Sequence, residues 1–160
     1  MRSSSGGWVL NSRRSERPDS GFTIKKCAVW GEPYTVYGWD GYQVRDNIDA
    51  EDVASAVFLY AENPKDGIYN IGGGPANSIS VREAVSYLSA THGFDFPVTW
   101  NGPPRLGDHR WYITNTQCFE SHYKTWTRKP IKEVIDALVV SERSRREFAT
   151  RDAAVPATAE

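Results

Sequence analysis

The glycine run Gly72–Gly74 is the part of the sequence that looks most like a phosphate-binding loop. It follows the apolar, β-prone segment GIYNI and precedes a predicted helix, which is the order found in dinucleotide-binding loops. That fingerprint needs a third glycine, where this chain has Asn77, and a P-loop needs a Lys-Ser/Thr pair that does not follow. The predicted helix also begins too late, at Ser80, for its N-terminus to face a phosphate. The sequence therefore favours a strand-end turn that uses positive φ, or a segment lining a neighbouring site.

Length and composition are those of a single globular domain. The chain has 160 residues, of which 39% are hydrophobic, and a formal charge of -1. That charge gives no general attraction to nucleic acid or to anionic membranes. Cys27 and Cys118 are isolated, so we expect free thiols and no metal site. No apolar run reaches the length of a membrane span, and the apolar core at residues 8–10 is too short for a signal peptide, so we expect a cytoplasmic protein.

The hydrophobic pattern predicts an α/β fold between two irregular ends. Residues 1–21 are rich in Ser, Arg and Gly and are expected to be flexible, and residues 149–160 are expected to form a disordered tail. Short β-branched or aromatic runs predict the strands Tyr34–Tyr37, Val44–Ile48, Gly67–Ile71 and Phe96–Trp100.

Helices are predicted from apolar stripes and capping residues. One begins after Asp49, its presumptive N-cap, and has an apolar stripe formed by Val53, Ala56, Val57 and Tyr60. The next begins with a Ser80/Glu83 capping box and has a stripe formed by Val81, Ala84, Val85 and Leu88. A short helix is predicted near Thr116–Tyr123. A last helix follows Pro130, with an apolar face formed by Ile131, Val134, Ile135 and Leu138, and is expected to run into solvent beyond Val140.

Four segments, taken in order, carry a resemblance to a known family. They are YTVYGWDGYQVRDNI (34–48), AEDVASAV (50–57), GIYNIGGGPANSIS (67–80) and RLGDHRWYIT (105–114). Residues 24–138 resemble the C-terminal part of the extended short-chain dehydrogenase/reductase family, specifically its NAD-dependent nucleotide-sugar epimerases and dehydratases. The GDHRW segment is most similar to the branch that includes CDP-tyvelose (CDP-paratose) 2-epimerases. The resemblance implies an incomplete Rossmann-like sheet plus a substrate-binding subdomain, within residues 22–148.

The resemblance implies a set of substrate-binding residues. Arg45 would contact the diphosphate of a nucleotide sugar, Arg105 a phosphate and Asp108 a ribose hydroxyl. By residue type alone, His109 and Trp111 are further candidates for stacking on a base. Planar guanidinium groups suit the phosphate contacts because they donate paired hydrogen bonds and keep their charge when buried. The plainer alternatives are a surface ion pair for Arg45, an exposed loop charge for Arg105 and a packing role for His109.

The catalytic parts of the family's sites have no counterpart in this sequence. Those enzymes oxidise the sugar transiently with NAD, using a glycine-rich loop and a Tyr-x-x-x-Lys pair. Neither motif occurs here, so we assign no catalytic residue and expect NAD to act in the full-length family and not to bind this chain alone. Asp49 and Asn115 also differ from the family, which often has histidine and an acidic residue there. We therefore interpret the chain as a truncated, substrate-side portion of a nucleotide-sugar epimerase that is inactive alone.

The same interpretation predicts the partners of the chain. The ligand would be a CDP- or UDP-sugar, and the strand Gly67–Ile71 would lack its usual neighbours, leaving an exposed edge. We expect marginal solubility, or association with a partner chain that supplies the cofactor half or with a second copy. Two alternatives remain open: a non-catalytic nucleotide-sugar-binding module, and a relic without activity or ligand.

Overall fold

The computed structural model describes residues 8–9, 21–104 and 106–154 of the chain. Helices and strands alternate along this part of the protein, as predicted for an α/β fold. The strands are β1 (Trp8–Val9), β2 (Tyr34–Tyr37), β3 (Val44–Ile48), β4 (Ser78–Ser80), β5 (Val98–Gly102) and β6 (Trp111–Tyr112). The helices are α1 (Gly21–Trp30), α2 (Ala50–Glu62), α3 (Val81–His92), α4 (Gln117–His122) and α5 (Ile131–Ala154). None of the described helices combines the length and hydropathy needed to cross a membrane.

Strand β3 organises the larger sheet. It pairs in parallel with β1 and β6 and antiparallel with β4, so that Val44 is the register partner of both Ser80 and Trp111. A second sheet consists of the parallel pair β2 and β5. Since β6 pairs with β3, the loop just before β6 is held beside the start of β3.

The structure confirms that α2 begins after Asp49 and that α3 begins after Ser80, because both residues make capping hydrogen bonds. The Asp49 carboxylate accepts from the Glu51 amide at 2.8 Å. At the start of α3 the Ser80 hydroxyl accepts from the Glu83 amide, and the Glu83 carboxylate accepts from the Ser80 amide. These bonds to Ser80 hold the pKa of Glu83 below its ordinary value, because they favour the ionised carboxylate.

Two hydrophobic clusters lie on different sides of the chain. The first joins α1, α3 and α5 around Leu88, Phe96 and Val139, and the predicted stripe of α3 packs against it. The second, which includes Ala56 and Phe119, joins α2 and α4. The stripe predicted for α2 was wrong at one position, since Val57 is 44% exposed.

The strand predicted at Gly67–Ile71 is absent, because no described strand forms a hydrogen-bonded ladder with it. Ile68 is 79% exposed there, whereas Tyr69 is buried at 3% exposure and Ile71 packs against the second cluster. The strand predicted at 96–100 does form, as β5, but begins two residues later, at Val98.

The two ends of the chain contain more regular structure than the sequence indicated. Trp8–Val9 forms β1 within the segment expected to be flexible, and the sequence did not predict α1. Helix α5 continues to Ala154, past residue 149 where the disordered tail was expected to begin. Residues 155–160 lie outside the described part of the chain.

Beyond Val140, α5 is exposed at every described position except Glu142, as predicted for a helix that runs into solvent. Glu142 on that helix is 1% exposed, lies 3.7 Å from Lys25 and accepts a hydrogen bond from the Trp30 indole at 3.1 Å. Both partners belong to α1, which the sequence did not predict, so α1 buries this one polar residue of α5.

Candidate functional site

The fold brings Arg45 and Asp108 together although they are 63 positions apart in the chain. Arg45 lies on β3 and is 7% exposed, and its Nη2 donates to Asp108 Oδ1 at 2.5 Å. Its Nη1 donates to the Val44 carbonyl at 2.8 Å, which fixes the plane of the guanidinium. The pairing of β6 with β3 positions Asp108, which lies in the loop just before β6. The buried Arg45 guanidinium and the Asp108 carboxylate, which come from two different segments of the predicted site, therefore lie in direct contact.

The pair is open on the side of the carboxylate. The Asp108 side chain is 31% exposed, whereas that of Arg45 is 9% exposed. Behind the guanidinium lies a small cavity of about 60 Å³, lined by Arg45, Tyr34 and Gln43 among others. Gln43 donates to the Tyr37 carbonyl, and its Oε1 is buried without a partner among the described residues. The more exposed side chain of the pair is therefore that of Asp108.

Of the other two predicted site residues, Arg105 and His109, the structure describes only His109. Arg105 lies outside the described residues. His109 is exposed, and its ring approaches that of Tyr112 edge-on, with 6.2 Å between ring centroids. Because Tyr112 is the register partner of Arg45, the two side chains project from the same face of the sheet, and His109 lies at the edge of that face.

The glycine loop packs against β3 of the same chain. A Cβ on Gly73 would lie 2.0 Å from the Asn47 carbonyl oxygen, and one on Gly72 would lie 2.5 Å from Thr114 Oγ1. Gly74 has a φ of 68° and donates its amide to Asp46 Oδ2 at 2.9 Å. The glycines therefore permit close packing on β3 and one left-handed turn.

This arrangement does not fit a dinucleotide. A pyrophosphate loop offers free backbone amides to its ligand, whereas the Gly74 amide is used by Asp46 and the loop is pressed against β3. We therefore assign no step of a reaction to NAD in this chain. No group of three or more His, Cys, Asp or Glu side chains in the described part of the chain is arranged to hold a metal ion.

Two residues that support this region were not singled out from the sequence. Asp46 is 1% exposed and holds Gly74, and its Oδ1 has no partner among the described residues. Arg128 donates to the Gly72 carbonyl at 3.1 Å and to Glu120 at 2.6 Å. Nothing local in the sequence distinguishes Asp46 or Arg128 from a surface charge, because the strand VRDNI is itself mostly polar.

Comparison with known proteins agrees with this fold. Residues 14–72 match the model of the NAD dependent epimerase/dehydratase family. A comparison with curated proteins gives no significant match. Among solved structures, the chain is similar to MoeE5 in complex with UDP-glucuronic acid and NAD, with 28% identity and a TM-score of 0.68 over 82% of this chain and 43% of MoeE5.

Two further structures extend the comparison. UDP-glucose 4-epimerase from Thermotoga maritima, solved with UDP-glucose, is 26% identical, with a TM-score of 0.65 over 82% of this chain and 42% of that protein. dTDP-glucose 4,6-dehydratase from Bacillus anthracis, in complex with NAD, is 21% identical with a TM-score of 0.68 over 82% and 41%, which shows the fold alone. The chain thus spans less than half the length of the structures it matches. It has the α/β fold of part of an extended short-chain dehydrogenase/reductase, and its similarity is to nucleotide-sugar epimerases and dehydratases.

Proposed function

We propose that this chain is the nucleotide-sugar-binding portion of an NAD-dependent epimerase or dehydratase. In this proposal Arg45 contacts the diphosphate, with Arg105 as a second phosphate contact, Asp108 holds a ribose hydroxyl and His109 stacks on the base. The observation that carries the proposal is the buried guanidinium of Arg45 beside Asp108. Within the ligand class we propose a CDP-sugar, on the strength of the GDHRW segment.

The electrostatics of the pair support a diphosphate as the ligand. A buried guanidinium needs an anionic partner, and without a ligand Asp108 supplies it. A diphosphate carries more negative charge than one carboxylate and matches the planar donors of Arg45. It would therefore displace Asp108 from the guanidinium and free that carboxylate to accept from a neutral hydroxyl.

The proposed role of the chain is binding and orientation. In MoeE5 the structure holds both UDP-glucuronic acid and NAD, so in that protein a sugar and the redox cofactor share one molecule. The glycine loop of this chain does not fit a dinucleotide, so catalysis would require a nicotinamide cofactor held by residues outside that loop. The Arg45 pair would then fix the nucleotide end of the substrate while the sugar reacts elsewhere.

We also propose that the chain associates, either with a partner chain that carries the cofactor half or with a second copy. Ile68 and Phe58 are 79% and 71% exposed, which is unusual for large apolar side chains. Sedimentation velocity over rising concentration should show a growing sedimentation coefficient. A chain that remains a soluble monomer throughout would contradict this part of the proposal.

The binding role is tested by isothermal titration of the chain with CDP-glucose, UDP-glucose and UDP-glucuronic acid. We expect Arg45→Lys to weaken binding by about tenfold or more, because an ammonium cannot donate the paired bonds that a guanidinium gives a diphosphate. The substitution keeps the charge, so the fold should survive. Arg151→Lys, at an exposed position of α5, is the matched control and should bind like the wild type.

Three results would each count against a part of the proposal. Equal affinity of the wild type and Arg45→Lys would remove Arg45 from the site. Absence of binding by the folded wild type would favour the relic interpretation. Tighter binding of UDP-glucose than CDP-glucose would overturn the choice of cytidine as the base and leave the rest of the proposal intact.

A further inference from the structure

A cleft of about 970 Å³ adjoins the small cavity at Arg45, and Ile79 and Ser80 line both. Val44, Ser80 and Trp111 are register partners on neighbouring strands, and all three line this cleft. Side chains alternate between the faces of a sheet, so Arg45 projects from the face opposite to Val44, and it lines the small cavity. Neither Arg45 nor Asp108 lines the cleft, so the two places differ in the side chains that would contact a ligand.

Two aromatic rings are exposed in this cleft. Trp111 is 65% exposed and Tyr42 is 55% exposed, and both belong to the lining. Exposed aromatic rings that line a concave surface can stack on a planar ligand without prior rearrangement. Neither ring is needed to complete one of the two hydrophobic clusters.

The charge of the lining is predominantly positive. It contains Arg82, Arg110 and Lys132, and none of these forms an ion pair with a carboxylate among the described residues. The carboxylate of the lining belongs to Glu83, and it already accepts two bonds from Ser80, at 2.8 Å and 2.6 Å. An anion entering the cleft would therefore meet cations whose charge is not neutralised locally.

Arg82 is held in a fixed position without losing its charge. Its Cζ lies 4.3 Å from the centroid of the Trp100 ring and 4.9 Å from that of Tyr42. Its Nε and Nη2 both donate to the Asp40 carbonyl, at 3.2 Å and 2.9 Å. A guanidinium fixed by rings and by a neutral carbonyl is preorganised to bind an anion.

We propose that this cleft binds a nucleotide, with its planar base stacked on Trp111 or Tyr42 and its phosphates at Arg82, Arg110 and Lys132. The volume lies within the range of small-molecule sites, roughly 300–1,000 Å³. The combination of rings and unpaired cations matches a ligand that carries a π-face at one end and negative charge at the other. A polynucleotide is disfavoured because the whole chain has a formal charge of -1.

The test is isothermal titration of the full chain with CDP, which separates this site from the Arg45 site by stoichiometry. We expect two equivalents to bind the wild type. Trp111→Ala and the double variant Arg110→Met/Lys132→Met should each weaken the cleft site by about tenfold or more and leave the other site unchanged. Lys124→Met, at an exposed position outside the cleft, is the control and should bind like the wild type. Ribose 5-phosphate, which lacks the base, should bind the cleft at least about tenfold more weakly than CDP.

The two proposals fail in different ways. One equivalent that is sensitive to Arg45→Lys and insensitive to Trp111→Ala would overturn the cleft site. One equivalent that is lost in Trp111→Ala and unaffected by Arg45→Lys would support the cleft and contradict the Arg45 site. No binding of CDP by the folded chain would overturn both.

Discussion

Gly73→Ala is expected to destabilise the protein by at least about 3 kcal/mol, measured as the free energy of unfolding in urea. The added Cβ would lie 2.0 Å from the Asn47 carbonyl oxygen, 2.8 Å from its carbonyl carbon and 2.9 Å from its amide nitrogen. All three are backbone atoms of β3, which cannot rotate away as a side chain can. The loop would have to separate from β3, and the strand that carries Arg45 would lose its support.

Gly31→Ala is the matched control for this prediction. Gly31 has a φ of 70°, and no atom lies within 4 Å of the position that its Cβ would take. Its cost should be limited to the left-handed backbone, about 1–2 kcal/mol. If Gly73→Ala cost no more than Gly31→Ala, the close packing of the glycine loop on β3 would be wrong.

Glu142→Ala is expected to cost about 3–5 kcal/mol of unfolding free energy, because it removes the carboxylate that lies 3.7 Å from the buried Lys25 ammonium. Lys25 is 5% exposed and Glu142 is 1% exposed, so water cannot replace the lost partner easily. The Trp30 indole would lose its acceptor as well. The double variant Lys25→Met/Glu142→Leu should recover most of the loss, since an apolar pair of similar volume often replaces a buried ion pair without penalty. A double variant no more stable than Glu142→Ala would contradict this account.

The pH dependence of stability provides a second measurement on the same pair. Burial lowers the pKa of Lys25 below its ordinary 10.5, against the opposing attraction of Glu142. Between the lowered pKa and 10.5 the unfolded chain binds more protons at this residue than the folded chain does, so stability should rise with pH through that window. Lys25→Met should remove this contribution, and an unchanged pH slope in that variant would contradict it.

Local signals account for the elements that could be predicted from the sequence. The starts of α2 and α3 follow from Asp49 and from the Ser80/Glu83 capping box, which act within one turn. Helix α1 has no acidic residue in its first turn and no basic residue in its last, and its burial depends on α5, more than a hundred positions away. The segment Gly67–Ile71 has the composition of a strand, but strand formation depends on a partner that propensity does not describe.

The candidate site likewise has residues that the sequence indicated and contacts that depend on distant parts of the chain. Arg45 and Asp108 were identified from a resemblance, and their proximity at 63 positions' separation depends on the pairing of β6 with β3. Asp46 anchors the glycine loop through a bond to Gly74, 28 positions away, which no local pattern indicates. The pairing of β6 with β3 also places Trp111 on the face opposite to Arg45, and no local pattern in the sequence indicates that two adjoining concave surfaces result.

The most direct test of the central claim is a crystal structure of the chain with CDP-glucose bound. We expect the diphosphate oxygens within hydrogen-bonding distance of the Arg45 guanidinium, with Asp108 turned from Arg45 towards a ribose hydroxyl. Diphosphate density that lies away from Arg45, with the Arg45–Asp108 bond intact, would contradict the account.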